Sequence, residues 1–307
     1  MRGARGKLSR IMPKDAYQPV AWLGLEFRVP SDWQIVRHGI AVQRGSLTFV
    51  DRRRERLTLS WRDCQREPDL MRMVADQRQR DQRATHGAQF DPLTAGPRWH
   101  GYVRNEPSRD PLARAVHYDA TNHRLVELVS TTGLDEPVRR ILSELRLQAP
   151  CEGRRRLIAF SLDLTLPEHF KLSSTKVLPA DARLDFEFDR GKARRFGSTQ
   201  ASIRRMGMAR AWYAGDARWL IRRESPKVSF ASFSETRHDA HPALAADGVE
   251  PDPRFLRLVG RGRRRRALVW QCEAENAVYH VMTVSPFARP VAPEAFAVRC
   301  CREAGHG

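Results

Sequence analysis

The chain has 307 residues, enough for two domains at roughly 150 residues each. Apolar residues make up 41% and charged residues 29%, a globular composition that excludes a largely disordered chain. Lys and Arg number 54 against 36 Asp and Glu, a net charge of +18, and no stretch approaches the ~18 apolar residues of a membrane span.

Residues 1–19 read as a basic N-terminal arm without the apolar run of a classical secretory signal. Leu25, Phe27 and Val29 then alternate with polar residues, the period of a half-buried strand. Gly45 and the following LTFV, the charged turn Asp51–Arg56 and LTLSW predict a hairpin. A helix is expected over Asp69–Ala84 after Pro68, with Leu70, Met73 and Val74 on one face. Strands follow over Trp99–Arg104, Ala113–Asp119 and Arg124–Thr131. Asp135 as N-cap and Pro137 in the first turn then open a closing helix.

The pattern returns. At an offset of 137, LEFRVPSDW (25–33) meets LDLTLPEHF (162–170), and Leu47 and Phe49 meet Leu184 and Phe186. Further on, 115–133 resembles 267–285 at an offset of 152. Three segments in the same order predict a tandem duplication: one repeat at 20–147, a linker at 148–155, a second repeat at 156–302 and a tail at 303–307. In the second copy the central helix is expected near Met208–Arg223, and His238–Pro253 reads as a long loop.

A strand ending in V-P-x-x-W or L-P-x-x-F, a hairpin, a mid-domain helix, a three-strand run and a C-terminal helix resembles the PsbP-like fold. That fold includes the photosystem II extrinsic P subunit and the Ran-binding nuclear import factor. The resemblance implies an α+β chain of two tandem αβα-sandwich repeats, each an antiparallel sheet flanked by helices and used for binding, without a shared catalytic set.

Candidate chemistry is sparse. His117, Asp119 and His123 surround one hairpin turn in a spacing that suits metal ligation. Their equivalents at offset 152 are Val269, Gln271 and Glu275, so polar side chains on a solvated hairpin explain them better. His238, Asp239 and His241 fall in the expected loop, where solvation is the simpler reading. Cys64 lies between a strand and a helix without a catalytic partner, no G-x-S-x-G elbow occurs, and Gly260–Arg263 lacks the phosphate-loop spacing. The five cysteines are odd in number and form no C-x-x-C. Adjacent Cys300 and Cys301 look unsuited to one zinc ion, which predicts free thiols in a cytoplasmic protein without metal or cofactor.

The cations carry the remaining signal. Arg52, Arg53 and Arg54 occupy one hairpin turn, with Arg194 and Arg195 near the matching place in the second copy. Arg261, Arg263, Arg264, Arg265 and Arg266 lie between FLRLV and ALVWQC, where a hairpin tip is expected. Such clusters grip phosphates or carboxylates. Trp99, Tyr102, Trp212, Tyr213 and Trp219 stand at core-like periods, so exposed stacking platforms are not expected. The sequence therefore predicts a non-enzymatic scaffold subunit that binds an acidic protein partner, the alternative being sequence-nonspecific binding of a nucleic-acid backbone.

Overall fold

The computed structural model describes residues 16–85, 87–107, 109–149, 151–188, 198–250, 262–285 and 291–301. The N-terminal arm through residue 15, Arg194, Arg195, Arg261 and the tail lie outside the described residues. The chain divides into two compact units, one of residues 1–20, 25–39 and 43–147, the other of 21–24, 40–42 and 148–307.

The first unit is built on a seven-stranded antiparallel sheet. In chain order its strands are β3 (Gln34–His38), β4 (Arg44–Val50), β5 (Glu55–Asp63), β6 (Gln89–Pro92), β7 (His100–Glu106), β8 (Arg109–Asp119) and β9 (Arg124–Ser130). They lie in the order β3-β4-β5-β9-β8-β7-β6. Period-2 alternation buries Leu47, Phe49, Leu57, Leu59, Ala113 and Ala115 on the packed face. Helix α1 (Leu70–Ala84) follows β5, capped by Asp69, and α2 (Glu136–Glu144) follows β9, capped by Asp135 with Pro137 in its first turn. Strand β1 (Tyr17–Trp22) leads into β2 (Leu25–Pro30), and β2 pairs with β10 (Arg146–Leu147).

The second unit holds β11 (Arg154–Ala159), β12 (Leu162–Pro167), β13 (Phe170–Leu178), β14 (Asp181–Phe188), β15 (Thr199–Gly207), β16 (Ser229–His238), β17 (His241–Glu250), β18 (Arg263–Cys272), β19 (Ala277–Ser285) and β20 (Ala297–Arg299). Its seven-stranded sheet runs β13-β14-β15-β19-β18-β17-β16, the same strand order as in the first unit, and β12 pairs with β11 and β20. A uniform step of 137 residues carries β1 and β2 onto β11 and β12. The connecting residues match too: Leu23 and Gly24 have φ of 50 and 91, Phe160 and Ser161 of 55 and 61. Two left-handed residues in a two-residue loop give the mirror-image turn whose twist suits a hairpin.

The fold class is corrected. Strands hold 56% of the described residues and helices 15%, so the molecule is mostly β and the expected αβα sandwich with flanking helices does not form. Helical cover is thin for identifiable reasons. In α1 the one buried residue is Asp81. The second unit closes with a three-residue 3-10 turn, Pro293–Ala295, where the first has α2. The helix expected over Met208–Arg223 breaks at Gly215 (φ 84) into α3 (Ala209–Trp212) and α4 (Ala217–Glu224). The expected loop from His238 contains β17, which tolerates Pro242 because it is only the second residue of the strand. Against that sheet Leu220 and Ile221 pack on Ala246, Ala267, Val269 and Val278.

Candidate functional site

The predicted residues are dispersed. Arg52, Arg53 and Arg54 occupy the exposed β4–β5 turn, where Asp51 accepts hydrogen bonds from the backbone of Arg53 and Arg54 and from the Arg56 side chain. Arg54 also pairs with Asp110. The expected hairpin tip at Arg263–Arg266 is corrected, because all four residues lie within β18 and continue its ladder with β17 and β19. Glu250 holds Arg265 at 2.5 Å and Asp247 holds Arg266 at 2.8 Å, while Arg263 and Arg264 are exposed. His117 Nδ1 faces the Arg98 carbonyl at 3.0 Å, His123 Nδ1 the Tyr118 hydroxyl at 3.2 Å, and Asp119 accepts from Asn122. Cys64 is half-buried at the end of β5.

The aromatic expectation holds for Trp99 and Tyr102, which are buried, and fails at α3 and α4. Trp212 is 38% exposed, Trp219 47%, and Met208, just before α3, 62%. Asp216 caps α4 by accepting from the Trp219 amide at 2.8 Å. The inner side of α4 is spent on Leu220 and Ile221, so its other residues turn outward. The Arg223 guanidinium lies 5.0 Å from the Trp219 ring centre, and Arg218 and Arg222 lie 5.6 and 5.5 Å from that of Phe233. Together Asp216, Arg218, Trp219, Arg222 and Arg223 line a shallow recess of about 470 Å³. Glu224 turns away to hold Arg204 at 2.7 Å, which leaves the recess cationic. The Trp212 indole donates to the Gly207 carbonyl at 2.9 Å and its ring packs against Tyr213 at 5.6 Å, which fixes the ring while part of it stays exposed. Tryptophan counted as core by period was thus misplaced, and the signal available was Arg on both sides of Trp219 on a short helix.

In the first unit a cleft of about 410 Å³ opens between α1 and the sheet. Three of its lining side chains, Gln77, Tyr102 and Arg114, are already committed to Asp81. Asp81 accepts from the Tyr102 hydroxyl at 2.8 Å, from Arg114 at 3.0 Å and from Gln77 at 3.2 Å.

A third cluster was missed in the sequence. His241 at the start of β17, Cys272 at the end of β18, and Cys300 and Cys301 after β20 bring one imidazole nitrogen and three sulfurs within 4.8 Å of one another. Cys301 Sγ stands 3.1 Å from Cys272 Sγ and 3.2 Å from His241 Nε2. Adjacent cysteines reach one point because Cys301 adopts φ 53, a left-handed turn. Burial pushes the Cys300 thiol up, and the hydrogen bond with Cys272 does the same to Cys301.

Neither a protein-family model nor a curated protein matches the chain. Among solved structures, the T6SS immunity protein TplEi from Pseudomonas aeruginosa in its apo form is 10% identical, with 90% of this chain and 92% of that one covered at a TM-score of 0.40. The same protein with "L" peptide gives 10% identity, 91% of each chain and 0.38. The Tle4–Tli4 complex gives 11%, 91% and 88%, and 0.38. Likeness at this level carries no conclusion about the present chain.

Proposed function

We propose that this protein is a non-catalytic binding module that docks an acidic protein on its α3–α4 surface. The observation that carries the reading is Trp219, set out in solvent beside Arg218, Arg222 and Arg223, with Trp212 and Met208 exposed on the adjoining α3 segment. Trp, Met and Arg are the residues that protein interfaces favour at their buried centres. The guanidinium forks match carboxylates two bonds at a time. A protein partner is favoured over nucleic acid by Met208, which offers a nucleotide neither charge nor a stacking plane. It is favoured also by Arg265 and Arg266, whose charge Glu250 and Asp247 already meet.

The test is affinity capture from the cells that make the protein, followed by rebinding of the purified partner. Trp219→Ala combined with Arg222→Glu is expected to abolish rebinding, and Arg52→Glu with Arg53→Glu to leave it unchanged. Rebinding that survives the α4 change would overturn this site. A turnover abolished by one substitution, or nucleic-acid binding that resists physiological salt, would overturn the reading itself.

A further inference from the structure

We infer that His241, Cys272, Cys300 and Cys301 form a structural zinc site that fastens the segment after β20 to the end of the second sheet. The donor set is one imidazole and three sulfurs, a combination found in closed structural zinc centres. With Zn–S about 2.3 Å and Zn–N about 2.0–2.1 Å, tetrahedral geometry sets donors about 3.5–3.8 Å apart. Here no two of the four are separated by more than 4.8 Å, and the closest are at 3.1 and 3.2 Å. Shifts of about an ångström at side-chain ends would complete the shell, a distance within the reach of rotamer adjustment.

The surroundings fit a thiolate centre. Trp270 Nε1 donates to Cys300 Sγ at 3.4 Å, the outer hydrogen bond that orients a ligand sulfur and spreads its charge. Trp270 is itself fixed, stacked on Tyr279 at 5.2 Å and 9° and covered by the His238 ring at 3.9 Å. His238 Nε2 in turn meets the Val298 carbonyl at 2.8 Å, anchoring the strand that delivers Cys300 and Cys301. Cys272 is fully buried.

Comparison of the two units shows that the fold does not require these residues. Both hairpins β8–β9 and β18–β19 turn through four residues, with left-handed His123 and Asn276 in the last place of the turn. A step of 153 therefore carries Asp119 onto Cys272 and His117 onto Trp270, one residue beyond the offset read from the sequence. Among the described residues the matching end of the first unit gathers no such donor set: the Trp99 indole donates to the Leu142 carbonyl, His117 faces the Arg98 carbonyl, and Cys64 beside the turn donates its amide to the His123 carbonyl. The second replaces that arrangement with four ligand donors.

Each thiol that ligates gives its proton to solvent, so uptake by the reduced chain releases up to three protons per zinc ion and weakens as pH falls. The experiment uses the full-length chain, reduced and desalted, with zinc measured by elemental analysis and Co²⁺ as a spectroscopic probe. One zinc per chain is expected, and Co²⁺ should give thiolate charge-transfer and tetrahedral ligand-field bands. Cys301→Ser and His241→Ala, at half-buried positions, should each lower affinity at least tenfold, while Cys64→Ser and Cys151→Ser should not. Cys272→Ser is the harsher variant because its site is buried, and the wild-type stoichiometry stands without it. Three results would overturn the proposal: no stoichiometric zinc in the reduced chain, full affinity in Cys301→Ser, or isolation of the native chain as a metal-free Cys272–Cys301 disulfide.

Discussion

His280 shows how a single buried group shapes the stability of the second unit. It lies at the centre of β19, fully enclosed, opposite Arg204 on β15, and its Nε2 meets no hydrogen-bond partner among the described residues. Burial lowers its pKa to about 4, helped by the positive charges of Arg204 and Arg183. A folded-state pKa below the unfolded value of about 6.5 means that unfolding takes up a proton in this window. Stability is therefore fully present above pH 6.5 and is lost as pH falls toward 4. With one pKa unit worth about 1.4 kcal/mol, this residue accounts for a loss of about 2 kcal/mol between pH 7 and pH 5. Urea unfolding of His280→Leu should accordingly lose about 2 kcal/mol less than the natural chain across that interval. Equal losses in the two proteins would show that folding leaves the His280 pKa where it is in the unfolded chain. Burial also lowers the pKa of His38 and His117, which adds to the slope in the same direction.

Helix α1 is held by chemistry rather than by an apolar face. Its one buried residue is Asp81, on which Tyr102, Arg114 and Gln77 converge. Burial pushes the Asp81 carboxyl up, but the bonds from Tyr102 and Arg114 outweigh it and hold the pKa below the usual range. Hydrogen bonds to a charged group contribute about 1.5–3 kcal/mol, and Arg114 is partly exposed, so Asp81→Ala should cost about 2 kcal/mol. Amide exchange should quicken in α1 before it does in β8; unchanged protection of α1 would show that Asp81 does not hold it. Strand pairing imposes a stricter limit at Gly101. A Cβ there would stand 2.0 Å from the Arg114 carbonyl oxygen, a backbone atom that cannot step aside. Gly101→Ala should destabilise by about 3 kcal/mol in denaturant unfolding, at the upper end for overpacking, and a neutral outcome would mean that β7 and β8 part easily. The sequence showed α1 by Pro68 and the spacing of Leu70, Met73 and Val74, and α2 by Asp135 and Pro137, because these are local signals; the Asp69 cap of α1 came only with the structure. The sequence did not show how α1 is attached, since Tyr102 and Arg114 lie 21 and 33 residues from Asp81.

At the scale of the whole chain, legibility follows the alternation of burial. The step of 137 was readable because Leu25, Phe27 and Val29 face inward between exposed or half-buried neighbours. The later hairpin slipped by one residue, from 153 to 152. Every residue of β19 is buried, so no in-and-out pattern marks which face each side chain takes. The zinc donors were illegible for another reason: 31, 28 and one residue separate them along the chain, and only the fold gathers them. Net charge, by contrast, is read directly, and its consequence can be tested. The +18 excess raises the local concentration of any polyanion. Several described arginines are nevertheless held by acids, among them Arg114, Arg204, Arg265 and Arg266. Cations spread over a surface act together only while the Debye length spans their spacing, about 30 Å at 0.01 M salt but about 8 Å at 0.15 M. Filter binding of a DNA duplex and of a single-stranded RNA should therefore show retention at low salt that disappears near physiological salt. Arg263→Ser with Arg264→Ser should lower the low-salt retention modestly, because these two are the exposed members of their cluster. Retention that persists at 0.15 M salt and vanishes in that variant would instead assign the arginines of β18 to a phosphate backbone, and the nucleic-acid reading would displace the protein one.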